Sequence, residues 1–216
     1  LDSLARNRRH GRRDAALFEI GARFSAVGGE SRGVAFAWTG AANHEHWSGG
    51  AREVDFFDAK GLVETLGDAL GVVVRLVTDD SVPYLVPGQS ARVMHGDTAV
   101  GVVGQLAPAL VDRAGAPRQD RVVAAELNLD QIMALYTQAS TAVQPLPRHP
   151  SIVRDLSIVV VDTLPAEIIR GTILAAGRDA TAPLTAIAFF DRYQGKGVPE
   201  GSVSTSVRLT FQSPDR

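Results

Sequence analysis

Apolar residues recur along the chain with two spacings, and each spacing predicts a type of secondary structure. From Asp55 to Gly71 they recur at helical spacing, with Asp55 placed to cap the start and Gly71 to end the helix. Alternating or β-branched segments instead predict strands. We place these strands at residues 15–24, 33–38, 72–77, 91–94, 98–106 and 122–128.

Two local signals refine this first region. Residues 86–89 have the Pro-Gly composition of a turn, and Asp130 is placed to cap a short helix that ends near Tyr136. Residues 138–147 (QASTAVQPLP) have the composition of a connector. The sequence therefore predicts a first domain at 1–137, a linker at 138–147 and a second domain at 148–216.

The second domain has a different order of elements. Strands are predicted at 154–161, 184–193 and 203–212, and a helix at 165–176. The order β-α-β-β is three quarters of a ferredoxin-like fold, so we expect this domain to be incomplete at its C-terminus. The fold class predicted for the whole chain is α+β.

Strict alternation in the last strand assigns its side chains to two faces. Val207 and Leu209 belong to the core face, together with Leu156, Ile158 and Val160 of the first strand. The polar face is the surface on which sheets of this type stack and hydrogen-bond unpaired bases. The candidate RNA-binding residues are Tyr193, Ser157, Ser204, Ser206 and Arg208 on this face, together with Lys196. Lys196 lies in the loop before the last strand, where it could contact the RNA backbone or be an ordinary solvated charge.

The middle strand is harder to orient because Phe189 and Phe190 are adjacent, which places one ring on each face. We expect Phe190 to point into the core and Asp191 and Tyr193 to point outward. Tyr193 would then be a stacking platform for a base, and an edge-packing aromatic is the alternative.

Composition and charge exclude several classes of function. The 22 basic and 24 acidic residues give a net charge of -2, so contact with nucleic acid has to be local. Cysteine is absent, which excludes disulfides and cysteine-based sites and fits a cytoplasmic location. The longest apolar runs are far shorter than the roughly 20 residues that span a bilayer, so no membrane contact is expected. Both ends of the sequence are expected to continue in a longer chain.

Several segments together resemble the beta subunit of bacterial phenylalanyl-tRNA synthetase. In the first domain they are ALFEIG (16–21), EHW (45–47), VDFFDAKG (54–61), PGQSA (87–91) and GQLAP (104–108). In the second domain HPSIVRDL (149–156), FDRYQG (190–195), VPEG (198–201) and VRLTFQ (207–212) resemble the anticodon-binding domain of that subunit. The resemblance covers nearly the whole chain, in order.

This resemblance implies an α2β2 enzyme that uses ATP and Mg2+ to join phenylalanine to tRNA-Phe, with an alpha subunit as the partner. It also implies that the first domain has a class II synthetase-like fold without catalysis. The class II pattern Phe-Arg-x-Glu would place arginine two positions before Glu19, where this chain has Leu17, and no Gly-x-Gly-x-x-x-Arg segment occurs. Leucine cannot clamp phosphate as arginine does. We therefore expect no catalytic residue and no cofactor bound by this chain.

Other features permit more than one interpretation. His44-Glu45-His46 with Glu53 has the residue types of a metal site, but a polar loop is the preferred interpretation and no metal is predicted. The arginines of residues 6–13 are interpreted as the solvated face of a helix, with tRNA contact as the alternative. The main functional alternative is a protein-interaction module whose open sheet binds a partner subunit instead of RNA. A freestanding enzyme is the weakest alternative, because no nucleophile, general base and general acid occur at a spacing that indicates a catalytic site.

Overall fold

The computed structural model of the 216-residue chain describes residues 1–26, 28–43, 46–47, 49–136, 148–177 and 183–213. They divide into two compact units, Leu1–Ser140 and Thr141–Arg216. The predicted linker at 138–147 lies wholly outside the described residues. Each unit has its own antiparallel sheet with helices against it, so the predicted α+β class is confirmed. In the described part of the chain, no helix is long and apolar enough to cross a membrane.

The first unit is built on a single sheet of antiparallel strands. Its strands are β1 (Ala15–Ser25), β2 (Gly29–Thr39), β3 (Arg75–Thr78), β4 (Leu85–His95), β5 (Thr98–Leu106) and β6 (Val122–Asn128). They form a six-stranded sheet in the order β1-β2-β6-β5-β4-β3. Because every neighbouring pair is antiparallel, short hairpins are sufficient to connect β1 to β2 and β4 to β5.

Helices cover parts of both faces of this sheet. They are α1 (Asp2–Arg9), α2 (Phe56–Ala69), α3 (Pro108–Arg113) and α4 (Leu129–Leu135). One core lies under α2 and α4, where Val63 and Ile132 pack on Val93, Val103 and other strand residues. A second core lies on the opposite face, where residues of α1 and α3 pack on the ends of β4, β5 and β6. This second core fixes α1 to the sheet.

Local sequence signals explain where α2 begins, but they did not predict the correct cap of α4. The Asp55 side chain accepts hydrogen bonds from the backbone N–H groups of residues 57 and 58, and the Asp58 carboxylate accepts one from the Asp55 N–H, which makes a capping box. The predicted cap at Asp130 is wrong, because Asn128 accepts from the Gln131 N–H at 3.0 Å. Asp130 instead binds the Arg32 guanidinium at 2.7 Å.

Two predicted boundaries in the strands of this unit are also wrong. The turn expected at residues 86–89 lies inside β4, which continues through an irregularity in its pairing with β5 between Leu85 and Ser90. Pro87 and Gly88 therefore produce a bulge in the strand instead of reversing the chain. The strand expected at 72–77 begins only at Arg75, because Val72 is buried in the core with α2.

The second unit has the predicted β-α-β-β order. Its elements are β7 (Ile152–Val161), α5 (Ala166–Gly177), β8 (Leu184–Tyr193) and β9 (Ser202–Phe211). The sheet order is β7-β9-β8, so β9 is central and β7 has no strand on its outer side within the described residues. Helix α5 lies on one face, where Ile173 packs with Ile187, Val207 and Leu209.

The predicted orientation of β7 and β9 is correct, but burial of the core face is uneven. Leu156 pairs with Val207, and Val160 with Val203, so these residues share the face under α5. Val207 is fully buried, whereas Leu156 is 48% exposed. The reason is that α5 covers the β8 side of the sheet and leaves much of β7 uncovered.

Candidate nucleic-acid interface

The face of the second sheet opposite α5 is the candidate interface, and we call it the open face. Backbone pairing places Ser157 of β7 opposite Ser206 of β9. It also places Tyr193 of β8 opposite Ser204, and Ala188 opposite Arg208. Five of the six candidate residues therefore lie on this face. The sixth, Lys196, is exposed in the loop between β8 and β9.

Phe190 also lies on the open face, and the prediction that it points into the core is wrong. Phe189 pairs with Val207 and Asp191 with Ser206, so Phe190 is an extra residue that forms a β-bulge. Phe189 packs in the core, whereas Phe190 is 53% exposed. The Phe190 ring faces the Arg208 guanidinium carbon at 5.2 Å from its centroid.

Arg208 is held in place by two neighbours on the open face. Its Nε and Nη2 atoms donate to the two carboxylate oxygens of Asp155 at 2.9 and 2.8 Å. The guanidinium also lies over the Phe190 ring, which is a cation–π geometry. The hydrogen bonds with Arg208 lower the pKa of Asp155, and those with Asp155 raise the pKa of Arg208. Arg208 is therefore preorganised, with half of its side chain still exposed.

The serines of the open face differ in how accessible they are. Ser206 is only 8% exposed, and its hydroxyl lies 3.0 Å from that of Ser157, so the two form a hydrogen-bonded pair across β7 and β9. Ser206 does not belong to the apolar core under α5. Ser157 is exposed and Ser204 is half-buried. Ser157 and Ser204 thus present the more accessible hydroxyls of this face.

Tyr193 stands at the end of β8, where the following loop folds back against its ring. Its hydroxyl donates to the Lys196 carbonyl at 3.4 Å. A Cβ atom on Gly195 would lie 2.7 Å from the Tyr193 hydroxyl oxygen, so a larger residue at this position would displace the ring. Tyr193 nevertheless remains 48% exposed. The ring is therefore oriented by the loop and part of it is free to contact a ligand.

Aliphatic side chains from the edge strand add an apolar part to the open face. Val153, Val159 and Val161 alternate with the core residues of β7, and they are 45%, 56% and 55% exposed. Together with Phe190 and Tyr193 they make this face a mixture of aromatic, aliphatic and polar groups. Such a surface suits the faces of nucleic-acid bases, and it also suits a protein partner.

The first unit has a groove around the position where a class II arginine was expected. Leu17 lines a cavity of about 440 Å³ together with Ala37 and Ala124, which pair across β2 and β6. The nearest arginine on the same face of β1 is Arg23, and its guanidinium binds Glu126 at 2.5 Å. The described lining of this cavity includes the carboxylates of Glu19 and Glu126 but no arginine or lysine, and Arg23 is paired with Glu126.

The histidine cluster near residue 45 has no described geometry, because His44 and Glu45 lie outside the described residues. Elsewhere, the residues that the structure describes contain no group of three or more His, Asp or Glu side chains placed to hold a metal ion. His95 is the last residue of β4, and its Nδ1 atom lies 2.8 Å from the Val73 carbonyl oxygen. That contact gives His95 a structural role.

Comparisons with known proteins agree across both units. The family model described as phenylalanyl tRNA synthetase beta chain CLM domain matches residues 1–129, and that described as ferredoxin-fold anticodon binding domain matches residues 147–216. The phenylalanine–tRNA ligase beta subunits of Moorella thermoacetica and Symbiobacterium thermophilum are 34% and 35% identical over 93% and 100% of this chain. The chain spans about a quarter of the length of these curated relatives (25% and 24%). A solved pyrrolysyl tRNA synthetase from Desulfitobacterium hafniense is 19% identical, with a TM-score of 0.45 over 61% of this chain and 46% of that chain.

Proposed function

This chain belongs to the phenylalanyl-tRNA synthetase beta chain family, and we propose that it contributes tRNA-binding surface and scaffold, but no catalytic residue, to a phenylalanine–tRNA ligase. The partners are an alpha subunit, in an α2β2 assembly, and tRNA-Phe. ATP and Mg2+ are used by the assembly and are bound outside this chain. The proposed location is the cytoplasm, where tRNA is charged.

One observation supports the RNA-binding part of this proposal most strongly. The open face carries two partly exposed aromatic rings, Phe190 and Tyr193, beside a preorganised cation, Arg208. Aromatic rings stack on unpaired bases, and an arginine contacts phosphate or a base edge. The described helix of this unit, α5, packs on the other side of the sheet and does not cover this face. We assign the anticodon arm of tRNA to this face.

The proposed lack of catalysis rests on the groove around Leu17. Its aliphatic side chain and the alanines beside it provide no cation for the phosphates of ATP, and Arg23 is paired with Glu126. We expect the purified chain alone to form no aminoacyl-adenylate. The measurement is phenylalanine-dependent exchange of pyrophosphate into ATP, and exchange above background by this chain would contradict the proposal.

Substitutions on the open face test the proposed RNA contact in the complete assembly. Tyr193→Ala should weaken tRNA binding by about 1–3 kcal/mol, whereas Tyr193→Phe should be nearly silent, because stacking needs the ring more than the hydroxyl. Arg208→Ala should also weaken binding. Asp155→Asn should strengthen it, because that change removes a carboxylate that repels the RNA phosphates and keeps a side-chain oxygen that can still accept a hydrogen bond from Arg208.

The readout is a tRNA binding isotherm at two salt concentrations, with the melting temperature of each variant as the control for folding. If Arg208 contacts phosphate, its loss should reduce the salt dependence of binding. If it contacts a base edge, discrimination between tRNAs should decrease while the salt dependence stays the same. Unchanged affinity in Tyr193→Ala and Arg208→Ala would refute the assignment of this face to RNA.

The alternative function is a protein-interaction module, and the exposed valines of β7 favour it. Val153, Val159 and Val161 give the open face an aliphatic edge that a subunit could cover. In that case Val159→Asp should prevent assembly with the alpha subunit while leaving the isolated chain folded. Under the RNA proposal the same change should leave assembly intact, which separates the two functions.

A further inference from the structure

A group of arginines in the first unit is separate from the open face and has no assigned role. Helix α1 and the residues after it carry Arg6, Arg9, Arg12 and Arg13, and the loop after α3 carries Arg118 and Arg121. We call these six residues the arginine patch. All six are exposed, and none makes an ion pair with another described residue.

Contacts of the neighbouring Arg8 bring the two parts of the patch together. Arg8 is largely buried and donates to both carboxylate oxygens of Asp120, which ties α1 to the loop that contains Arg118 and Arg121. Its Nη1 atom also donates to the Arg12 carbonyl at 3.2 Å. The loop is therefore fixed against the end of α1.

Two further observations place patch residues side by side. Arg13 and Arg121 line the same cavity of about 460 Å³, which opens between the end of α1 and the start of β6. On the other side, an Nη atom of Arg9 lies 2.7 Å from the position of a Cβ on Gly115, so Arg9 rests on the loop backbone. These contacts place Arg9, Arg13 and Arg121 along the junction of α1 with the loop that also carries Arg118.

The carboxylates near the patch are fewer than its arginines, and some already have other roles. Asp120 is neutralised by Arg8. The Asp14 carboxylate accepts a hydrogen bond from the Ala41 N–H at 2.8 Å, and Glu53 also lines the cavity. Since the whole chain has a net charge of -2, this concentration of unpaired arginine is local. A local excess of unpaired arginine favours a polyanion, and guanidinium groups fit phosphate in bidentate geometry.

We infer that the arginine patch binds the phosphodiester backbone of RNA, as a second contact site in the first unit that is separate from the open face. The choice of RNA as the polyanion rests on the proposed function. The patch consists of arginines and contains no aromatic side chain that could stack on a base. We therefore expect it to bind phosphate charge without recognising base sequence. It would add affinity and association rate without contributing to the choice of tRNA.

The test is tRNA binding by the complete assembly, with substitutions that remove charge from the patch. Arg13→Gln with Arg121→Gln removes the two arginines at the cavity, and Arg12→Gln with Arg118→Gln removes two others. Each lost phosphate contact should reduce the magnitude of the negative slope of log affinity against log salt by about 0.7–0.9. Each double variant should bind about tenfold more weakly at low salt. Arg75→Gln is the control, because Arg75 is exposed and unpaired but lies on β3.

The outcomes separate this inference from the proposed function. If Tyr193→Ala weakens binding and both patch variants keep the wild-type affinity and salt slope, the inference is wrong and the open face stands. If the patch variants weaken binding and Tyr193→Ala does not, the assignment of the open face is wrong and the patch stands. A patch variant that keeps its RNA affinity but assembles poorly with the alpha subunit would show that the patch binds protein, which also overturns the inference.

Discussion

The adjacent residues Phe189 and Phe190 should respond in opposite ways to the same substitution. Phe189 packs against Val207 and Leu209, and full burial of a phenylalanine makes its replacement by alanine cost about 3–5 kcal/mol. Since Phe189 is partly buried, we expect Phe189→Ala to lower the free energy of unfolding by about 3 kcal/mol. Phe190 is 53% exposed, so Phe190→Ala should cost only about 1 kcal/mol, including its cation–π contact with Arg208.

The effects on RNA binding should be reversed. If Phe190 stacks on a base, Phe190→Ala should weaken tRNA binding by about 1–3 kcal/mol, whereas folded Phe189→Ala should bind as the unmodified chain does. Urea denaturation gives the stability of each variant, and tRNA isotherms at a temperature where both are folded give the affinity. Phe190→Leu is a useful control because it keeps apolar volume without the ring. A larger loss of stability for Phe190→Ala than for Phe189→Ala would refute the bulge and the orientation that follows from it.

Two other predictions concern helix caps and acid stability. Asp55→Ala and Asn128→Ala should each lower the free energy of unfolding by about 1 kcal/mol, because each removes an N-cap. Asp130→Ala should have a smaller effect on the free energy of unfolding, because it removes only exposed contacts with Arg32. Denaturant titration measures all three. Because Arg208 holds the pKa of Asp155 below its ordinary value of 3.8, their contact stabilises the fold above that pH and is lost as the pH falls through the lowered pKa. In an NMR titration, Arg208→Gln should raise the pKa of Asp155 toward 3.8, and an unchanged value would contradict this cause.

Strong local patterns were sufficient to predict much of the fold. The apolar positions and the capping residue of α2 are all within one segment, so its start at Phe56 follows from the sequence. Strict alternation likewise placed Val207 and Leu209 on the core face of β9, and Ser204 and Arg208 on the other. These features depend on neighbours along the chain, which a sequence shows directly.

Features that depend on distant residues could not be predicted in the same way. Asp130 was expected to cap α4, but the strand pairing brings Arg32 next to it, and that contact is 98 residues away in the chain. The contact between Arg8 and Asp120 spans 112 residues, so the arginines of α1 and of the later loop do not form a patch in the sequence. The exposure of Leu156 follows from the position of α5, which alternation does not determine.

The bulge in β8 explains the one wrong orientation on the open face, and it also leads to a sharp test. Just before the bulge Ile187 and Phe189 point into the core, and after it Asp191 and Tyr193 point outward, so Phe189 and Tyr193 lie on opposite faces. Deleting either phenylalanine gives the same sequence, in which the remaining ring takes the position opposite Val207 and Asp191 still pairs with Ser206. We therefore expect the deletion variant to fold with its core and with Tyr193 in place, and to lose tRNA affinity as Phe190→Ala does. Because an ordinary deletion inside a strand moves every following side chain to the other face, a deletion variant that fails to fold would show that Phe190 is not an extra residue in this sheet.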